Sequence, residues 1–561
     1  MTSRNPISNR QYTDVPVVII GAGISGMCMA IDLIRRNASQ SFVILEKSAG
    51  VGGTWRDNKY PGCCCDVWSH LYSYSFEQNP NWTREYSGQE EILNYLQEIA
   101  RKYDLYRYIR FSSSVETARW DDVRKRWDIT VSVGGGKEEE FGSKYTIETD
   151  FLVSAVGQLN VPKMPEIEGL YEFSGKLMHS ARWDWSYDLR DKKVAVIGAG
   201  STGAQVVPEV ARVAASLTVY QRTPAWIVPR RNKDISEWER LLYRYIPPVR
   251  LAKRSYMMDF REKTFGVVVA PERSANERYE TVSRNHMKGQ LPDREDLWKK
   301  LEPTYKLGCK RVVVSDDYYP TFLRDNVRLE TRHIDRISTK GIVCDQKEEQ
   351  FDLIILATGF KATQFMYPME IVGRGKQPLS NIWRDGAEAF NGVCVEHLPN
   401  FAMLYGPNTN LSHNSIILMI EAQSRYIAAL IAEVSRARAA GGRLVLQPKA
   451  QKVAEYNARV QSSLVATNYA DPSCNSWYKI EGSGKVTNNW PGTAIQYQEL
   501  LSEVRWSDYD VSATGTNEDS ISVTGTKVLG KVNEGSSARN RMLILAALSV
   551  CGAVSVYRFV L

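Results

Sequence analysis

Cysteine is scarce in this chain, nine in 561 residues, and three of the nine are adjacent (Cys63, Cys64 and Cys65). Neither the number nor the spacing is that of a disulfide framework or a zinc site, so a reducing compartment is expected. The six histidines (His70, His179, His286, His333, His397 and His413) lie far apart without ligand spacing, and no metal is indicated. The net charge of +7 is spread thinly, with no basic run or stripe, which argues against a nucleic-acid surface and leaves anionic small molecules as the beneficiaries. Residues 1–18 lack an apolar signal core behind their basic residues, so synthesis and folding in the cytosol are expected. Only the end of the chain suggests a membrane. Met542 to Tyr557 is uncharged, and a spanning length of ~20 residues is reached if Arg558 snorkels, so residues 542–561 are expected to form a membrane anchor.

What is present is ordinary globular material, 43% hydrophobic and 24% charged, long enough for about three or four structural units. Val17–Ile20 is a β-branched run suited to a strand buried on both faces. It runs into Gly21-Ala-Gly23-Ile-Ser-Gly26 and an apolar helix from Met27 to Ile34. The glycines allow a tight turn, close approach to a pyrophosphate and helix-on-strand packing. A second strand, Phe42–Leu45, ends at Glu46, where a carboxylate can accept ribose hydroxyls. A glycine- and aromatic-rich loop follows, in which Trp55 and Tyr60 can wall a flat ring and Asp66 closes the segment. The three cysteines are read as small buried hydrophobes. Ser87-Gly-Gln-Glu90 has the form of a capping box before a packing helix. Residues 111–150 alternate as a β-meander with Trp127, Ile129 and Val131 on one face, and Phe151–Gly157 reads as a further buried strand.

Beyond the linker Val161–Pro165 and the stretch Phe173–Asp184, the pattern restarts with Lys193–Ile197, Gly198-Ala-Gly200-Ser-Thr202-Gly203 and a helix. Here the second strand, Leu217–Tyr220, ends at Gln221-Arg222-Thr223 instead of at an acid. A cation at that point suits a 2′-phosphate, so NADP(H) is expected in preference to NAD(H). Residues 234–301 have helical spacing and can roof a pocket, Lys310-Arg311 precedes a strand, and Asp352–Gly359 is another buried strand with a small-residue tip. The loop from Gly406 leads into an amphipathic helix from Ile416 to about Val434, and Trp477 and Trp490 sit in loops. From about Asp508 a polar Ser/Thr/Gly/Asn-rich linker is expected.

These motifs resemble the type I Baeyer–Villiger monooxygenases, class B flavoprotein monooxygenases. Phe173-x-Gly175-x-x-x-His179-x-x-x-Trp183-Asp184 is similar to that family's fingerprint, its final Asp being a variant of the more frequent Pro, and Gly53-Thr-Trp55 through Asp66 matches its second motif. The resemblance, over residues 12–500, implies an α/β fold with two Rossmann-like domains, a helical insertion and a C-terminal tail. The FAD domain would take residues 1–160 and 361–505, the NADP domain 161–230 and 306–360, the insertion 231–305 and the polar linker 506–541. It implies FAD on Gly21, Gly23, Gly26, Glu46, Thr54, Trp55 and Asp66, and NADP(H) on Gly200, Thr202, Gly203, Arg222, Thr223, Lys310 and Trp477. Arg311 would be the catalytic cation and Asp66 its partner. The implied reaction uses NADPH and O₂ to convert a ketone into an ester or lactone through a C4a-peroxyflavin and a tetrahedral adduct. The alternatives are oxygenation of sulfur or nitrogen in small molecules, and a non-catalytic membrane-tethered protein that binds NADPH and FAD.

Overall fold

The computed structural model describes residues 12–136, 142–270, 273–514, 523–532 and 534; the expected membrane anchor, 542–561, lies outside them. Among the described residues no helix is long and apolar enough to cross a membrane.

Eight described strands form one sheet. Its centre is Asp14–Ile20, flanked in parallel by Phe42–Leu45 and by Lys144–Ser154. Val17–Ile20 is buried because it has a neighbour on each edge and helices on the faces, as its unbroken apolar run requires. The meander is present as Ser113–Asp121, Arg126–Val133 and Lys144–Ser154, all antiparallel, with Trp127, Ile129 and Val131 fully buried. Its last strand and the buried strand expected at Phe151–Gly157 are one continuous strand, which carries the meander straight into the nucleotide sheet.

A second sheet of five described strands is parallel throughout, in the order Val327–Glu330, Ser216–Tyr220, Lys193–Ile197, Leu353–Leu356, Lys176–His179. The Phe173–Asp184 stretch therefore supplies the outer strand of this sheet. The two chain crossings between the sheets lie side by side. Pro162 and Phe360 form an antiparallel bridge, and Lys163 N–H donates to Gly359 O (2.9 Å) while Lys361 N–H donates to Val161 O (3.0 Å). A paired double crossing of this kind is the geometry of a hinge between two bodies. The expected helical insertion is present as helices Glu237–Tyr245, Pro247–Lys263, Phe265–Val268, Arg273–Gln290 and Glu295–Leu301.

Several local expectations are corrected. Ser87 caps nothing: its hydroxyl is buried against Ser69 (2.8 Å), and the helix Gln89–Lys102 starts from Gly88 without a side-chain cap. Thr54–Asp57, read as loop, is one helical turn, made possible by the preceding Gly52 and Gly53. The helix expected to be amphipathic, Ile417–Ala439, is buried on every side from Ile417 to Ile431. Among its buried polar residues, Gln423 donates to Tyr497 Oη (2.9 Å) and accepts from Tyr405 N–H (2.8 Å). The start of the polar linker is ordered as strands: Tyr509–Thr514 pairs with Arg443–Pro448, and Thr526–Val528 pairs with Glu503–Arg505. Trp506 and Tyr509 are buried there, while Ser512 and Thr514 of the strand are exposed. Cys309 and Cys474, 165 residues apart, form a disulfide, against the expectation from cysteine count; no spacing rule joins such distant positions.

Candidate functional site

Between the two sheets lies a cavity of about 1910 Å³ whose wall includes Asp66, Arg311, Lys310, Gly200, Arg222 and Trp477. Arg311 faces Asp66 through two parallel contacts, Nη2 to Oδ1 at 2.7 Å and Nε to Oδ2, and Nη1 donates to Leu411 O at 3.1 Å. The side chains are 20% and 24% exposed, and both line the cavity. Burial opposes charge on both, yet each holds the other ionised: Arg311 is shifted up and Asp66 down. The result is a planar cation locked in orientation, with the bidentate geometry that only arginine provides.

The position of Arg311 follows from where the chain crosses cores. Cys309 packs in the core of the first sheet's helices and Val313 in that of the second sheet, so Lys310 and Arg311 occupy the crossing itself. The strand Val313–Val314 pairs with Ile227–Val228, which makes the same crossing one residue after Trp226. Asp66 is delivered by the loop after Gly53, where Cys65 N–H bonds Ser87 O (3.1 Å) and Cys64 bridges Gly88.

At the second glycine turn, Gly198 has φ +117° and a Cβ there would lie 2.4 Å from Ala357 O. A Cβ on Gly203 would meet Gly198 O at 2.3 Å, whereas one on Gly200 would meet nothing within 4 Å. The first and third glycines are thus steric necessities and the middle one faces open space. The helix Ser201–Ala211 begins at Gly200 with no side-chain cap, leaving its first N–H groups toward the cavity, where Thr202 also lies. Arg222, Thr223 and Lys310 line the same wall. Neither cation has a carboxylate partner among the described residues; Lys310 Nζ sits over the Tyr305 ring (4.9 Å). Burial, with the charge of Arg222, lowers the Lys310 ammonium to about 8. Two unpaired cations beside a helix N-terminus suit a phosphate ester.

The first turn repeats the arrangement. A Cβ on Gly21 would lie 2.7 Å from Ala155 O and one on Gly26 1.9 Å from Gly21 O, while Gly23 faces the backbone of Gly53. The helix Ile24–Arg35 likewise begins uncapped. Glu46 is 5% exposed; its Oε2 accepts from Ala22 N–H (2.7 Å) and its Oε1 from Ser48 N–H (2.8 Å), so it holds the turn's shape while keeping lone pairs in reserve. Thr54 lines the cavity, and Trp55 is buried with its indole N–H on Tyr72 Oη (3.1 Å). The neighbouring thiols are protonated and inert: burial raises all three, Cys63 to about 12. Cys65 is buried, while Cys63 and Cys64 are half-buried in the cavity wall.

In the Phe173–Asp184 stretch, Phe173 and Trp183 are core residues. Gly175 has no room for a Cβ, which would meet the Phe173 ring at 2.5 Å and Asp352 O at 2.8 Å. His179 accepts from Ala181 N–H through Nδ1 (3.1 Å) and is pushed down to about 4 by burial, so it is neutral. Asp184 closes on Lys176 (2.6 Å) and Ser186, which hold it at about 2.

Apart from Tyr60, the contacts that join the two bodies come from residues the motifs did not single out. Arg182 donates to Asn160 O (3.1 Å), Asn160 donates to Asp57 (2.5 Å), and Trp185 Nε1 donates to Lys59 O (2.9 Å). Tyr60, which lines the cavity, donates to Gln205 Oε1 (2.9 Å), and Gln205 donates to Cys64 O (3.2 Å). The loop after Gly53 is thereby tied to the helix Ser201–Ala211 of the other sheet. Trp477 stands beside Tyr478 (4.6 Å between rings), and Tyr405 adds its hydroxyl to Asn410 (2.7 Å) at the cavity wall.

Residues 14–471 match the flavin-binding monooxygenase-like family. The chain is 48% identical over 548 residues to the FAD-binding monooxygenase ktnD of Aspergillus niger, covering 98% of this chain and 90% of that protein. It is 39% identical over 503 residues to a Baeyer-Villiger monooxygenase of Streptomyces coelicolor, covering 89% and 93%. Among solved structures, an oxidized steroid monooxygenase bound to NADP superposes with a TM-score of 0.74 at 29% identity, covering 87% of this chain and 97% of that one. Cyclohexanone monooxygenase from Rhodococcus sp. Phi1 bound to NADP⁺ gives 0.76 at 26%, covering 89% and 99%. The chain belongs to the flavin-binding monooxygenase-like family, among the Baeyer–Villiger monooxygenases.

Proposed function

We propose that this enzyme holds FAD and NADP(H) and converts ketones to esters or lactones, with the balance ketone + O₂ + NADPH + H⁺ → ester + NADP⁺ + H₂O. The observation that carries the reading is the Arg311 guanidinium, gripped by Asp66 and Leu411 O at the wall of the cavity. FAD fits the first glycine turn, where Gly21, Gly23, Gly26 and Glu46 leave uncapped helix N–H groups, with Thr54 and Trp55 behind it. NADP(H) fits the second, with Gly200, Thr202 and Gly203 at the pyrophosphate, Arg222, Thr223 and Lys310 at the 2′-phosphate, and Trp477 on the nicotinamide side.

When bound, FAD reduced by NADPH supplies the activated oxygen. The protein's part is electrostatic. Negative charge that develops on the carbonyl oxygen as oxygen is inserted meets a cation already in place, so no reorganisation is needed at the moment of reaction. Asp66 keeps that cation pointed and tempers its field. Cys63 and Cys64, protonated, border the site without competing as nucleophiles. The paired crossings at 161–163 and 359–361 let the two sheets adjust about the cavity while Tyr60–Gln205 and Arg182–Asn160 keep them in register.

Incubation with cyclic, aryl and linear ketones and with a sulfide tests the reading. Ester or lactone from at least one ketone is expected; sulfoxide with no ester from the whole panel would assign the enzyme to heteroatom oxygenation.

Two results are expected for the coenzyme. Arg222→Ala raises KM for NADPH about 10- to 30-fold and leaves that for NADH nearly unchanged, as loss of one charge-assisted phosphate bond implies. Lys310 attracts phosphate only while protonated. Its ammonium is lowered to about 8, so affinity for NADPH is fully present below that pH and falls about tenfold as the pH rises through 8 toward 10. Binding of the phosphate raises the lysine's pKa and takes up a proton. Lys310→Arg flattens the profile; an equally steep profile in this variant assigns the titration elsewhere.

A further inference from the structure

The Cys309–Cys474 disulfide, with both sulfurs in the core of the first sheet's helices, ties the segment that carries Lys310 and Arg311 to the loop that carries Trp477. Cys309 immediately precedes Lys310 and Arg311 and is packed in the core of the first sheet's helices; two residues beyond Arg311 the chain is in the other core. Cys474 begins the loop that carries Trp477 to the cavity wall. The two segments are also joined by Lys306 N–H, which donates to Asp471 Oδ2 (3.3 Å), and within the second segment Lys479 reaches back to Asp471 O and to Cys474 O (3.2 Å).

Lys479 distinguishes this disulfide from an inert cross-link. It is 9% exposed, forms no ion pair among the described residues, and its Nζ lies 4.0 Å from Cys309 Sγ. A buried ammonium whose hydrogen bonds go to carbonyls is costly beside a neutral disulfide, and burial lowers it against the opposing charge of Asp471, with which it makes no ion pair. Beside a thiolate it would be paired. The site is therefore better balanced electrostatically when Cys309 is reduced and ionised than a disulfide alone requires.

We propose that Cys309 and Cys474 are a reversible thiol–disulfide switch that sets how firmly the Lys310–Arg311 crossing and the Trp477 loop hold the reduced coenzyme, with Lys479 as the partner of the Cys309 thiolate. To open it, an external dithiol attacks Cys474, the less deeply buried sulfur with exposed Ser473 and Asn475 on either side. The S–S bond breaks, Cys309 leaves as a thiolate beside Lys479, and the second thiol of the reagent completes its own disulfide. To close it, hydrogen peroxide takes two electrons and two protons from the thiol pair, giving the disulfide and two waters.

The inference rests on the coenzyme reading above, so its test reads the coenzyme and not the ester. The FAD-loaded enzyme is titrated with dithiothreitol, alkylated and mapped by mass spectrometry, and NADPH-driven bleaching of the flavin is measured in parallel. Untreated protein should leave Cys309 and Cys474 unalkylated; reduction should expose both and raise KM for NADPH three- to tenfold at constant flavin content, with recovery after peroxide. Cys474→Ser should show the reduced behaviour without responding to dithiothreitol. Lys479→Gln should need about tenfold more reductant for half-opening. The proposal is overturned by two alkylated thiols in untreated protein, or by an unchanged KM after complete reduction of the wild type, whether or not the serine variant folds. Failure of ester formation alongside a redox-dependent KM would overturn the ketone reading and leave the switch standing.

Discussion

Gly198→Ala abolishes the use of NADPH while the protein still binds FAD. The methyl group would lie 2.4 Å from Ala357 O, a backbone atom of the neighbouring strand end, at a φ of +117° that L residues rarely adopt. Overlap and strain together cost about 3 kcal/mol or more, and the nearest relief is to pull the turn away from the strand Leu353–Leu356. That displaces the uncapped N-terminus of the helix Ser201–Ala211 from the phosphate position. A fall of at least 100-fold in kcat/KM for NADPH is expected, with flavin absorbance retained because the first glycine turn belongs to the other sheet. Gly200→Ala separates folding from binding. Its backbone is ordinary (φ −79°) and its Cβ meets nothing, so thermal stability is unchanged while the methyl group enters the pyrophosphate space and coenzyme affinity falls. Stopped-flow reduction of the flavin and thermal melting distinguish the two variants.

Arg311→Ala binds FAD and accepts electrons from NADPH but forms ester 10²- to 10³-fold more slowly, the range for loss of one preorganised charge-stabilising group. The stability cost is smaller. A fully buried pair broken on one side costs about 3–5 kcal/mol, but Asp66, 24% exposed at the cavity, keeps access to water and the loss is about 1–2 kcal/mol. Arg311→Lys does not restore the rate, because an ammonium cannot make both contacts to Asp66 and the third to Leu411 O. Rates of product formation at saturating NADPH, beside flavin content, check the set. A lysine variant at wild-type rate would show that charge alone suffices.

The parts of the fold legible in the sequence are those in which one residue type answers one local need. Gly198 and Gly203 announce a turn because nothing larger fits, and the run Val17–Ile20 announces a strand because both its faces are covered. Arg222 is readable because it stands where a strand ends. Polarity misled where the solvent side was assigned from composition alone. In the helix Ile417–Ala439 Gln423, Ser424 and Arg425 are buried, and in Tyr509–Thr514 the Ser/Thr content hid a strand anchored by Tyr509, whose hydroxyl meets that of Tyr426 (2.8 Å). Contacts between the two bodies were beyond reach for a different reason. Tyr60 and Gln205 are 145 residues apart and Arg182 and Asn160 sit beside stronger motif residues, and within the first core Cys309 meets Cys474 across a separation of 165. Pairings of this kind follow from tertiary placement, for which neither spacing nor periodicity carries a signal. A cysteine directly before Lys310-Arg311 and another three residues before Trp477 were the available hint.

The central claim is that the Arg311 cation, held by Asp66, directs oxygen into a ketone. It is tested most directly by turnover under ¹⁸O₂ with a ketone that the wild type accepts, counting labelled ester per NADPH consumed in wild type and in Arg311→Ala. The account predicts one labelled oxygen per ester with most of the NADPH accounted for by ester in the wild type, and in the variant continued NADPH consumption with the oxygen released as hydrogen peroxide. Labelled ester formed by Arg311→Ala at the wild-type ratio to NADPH would contradict it.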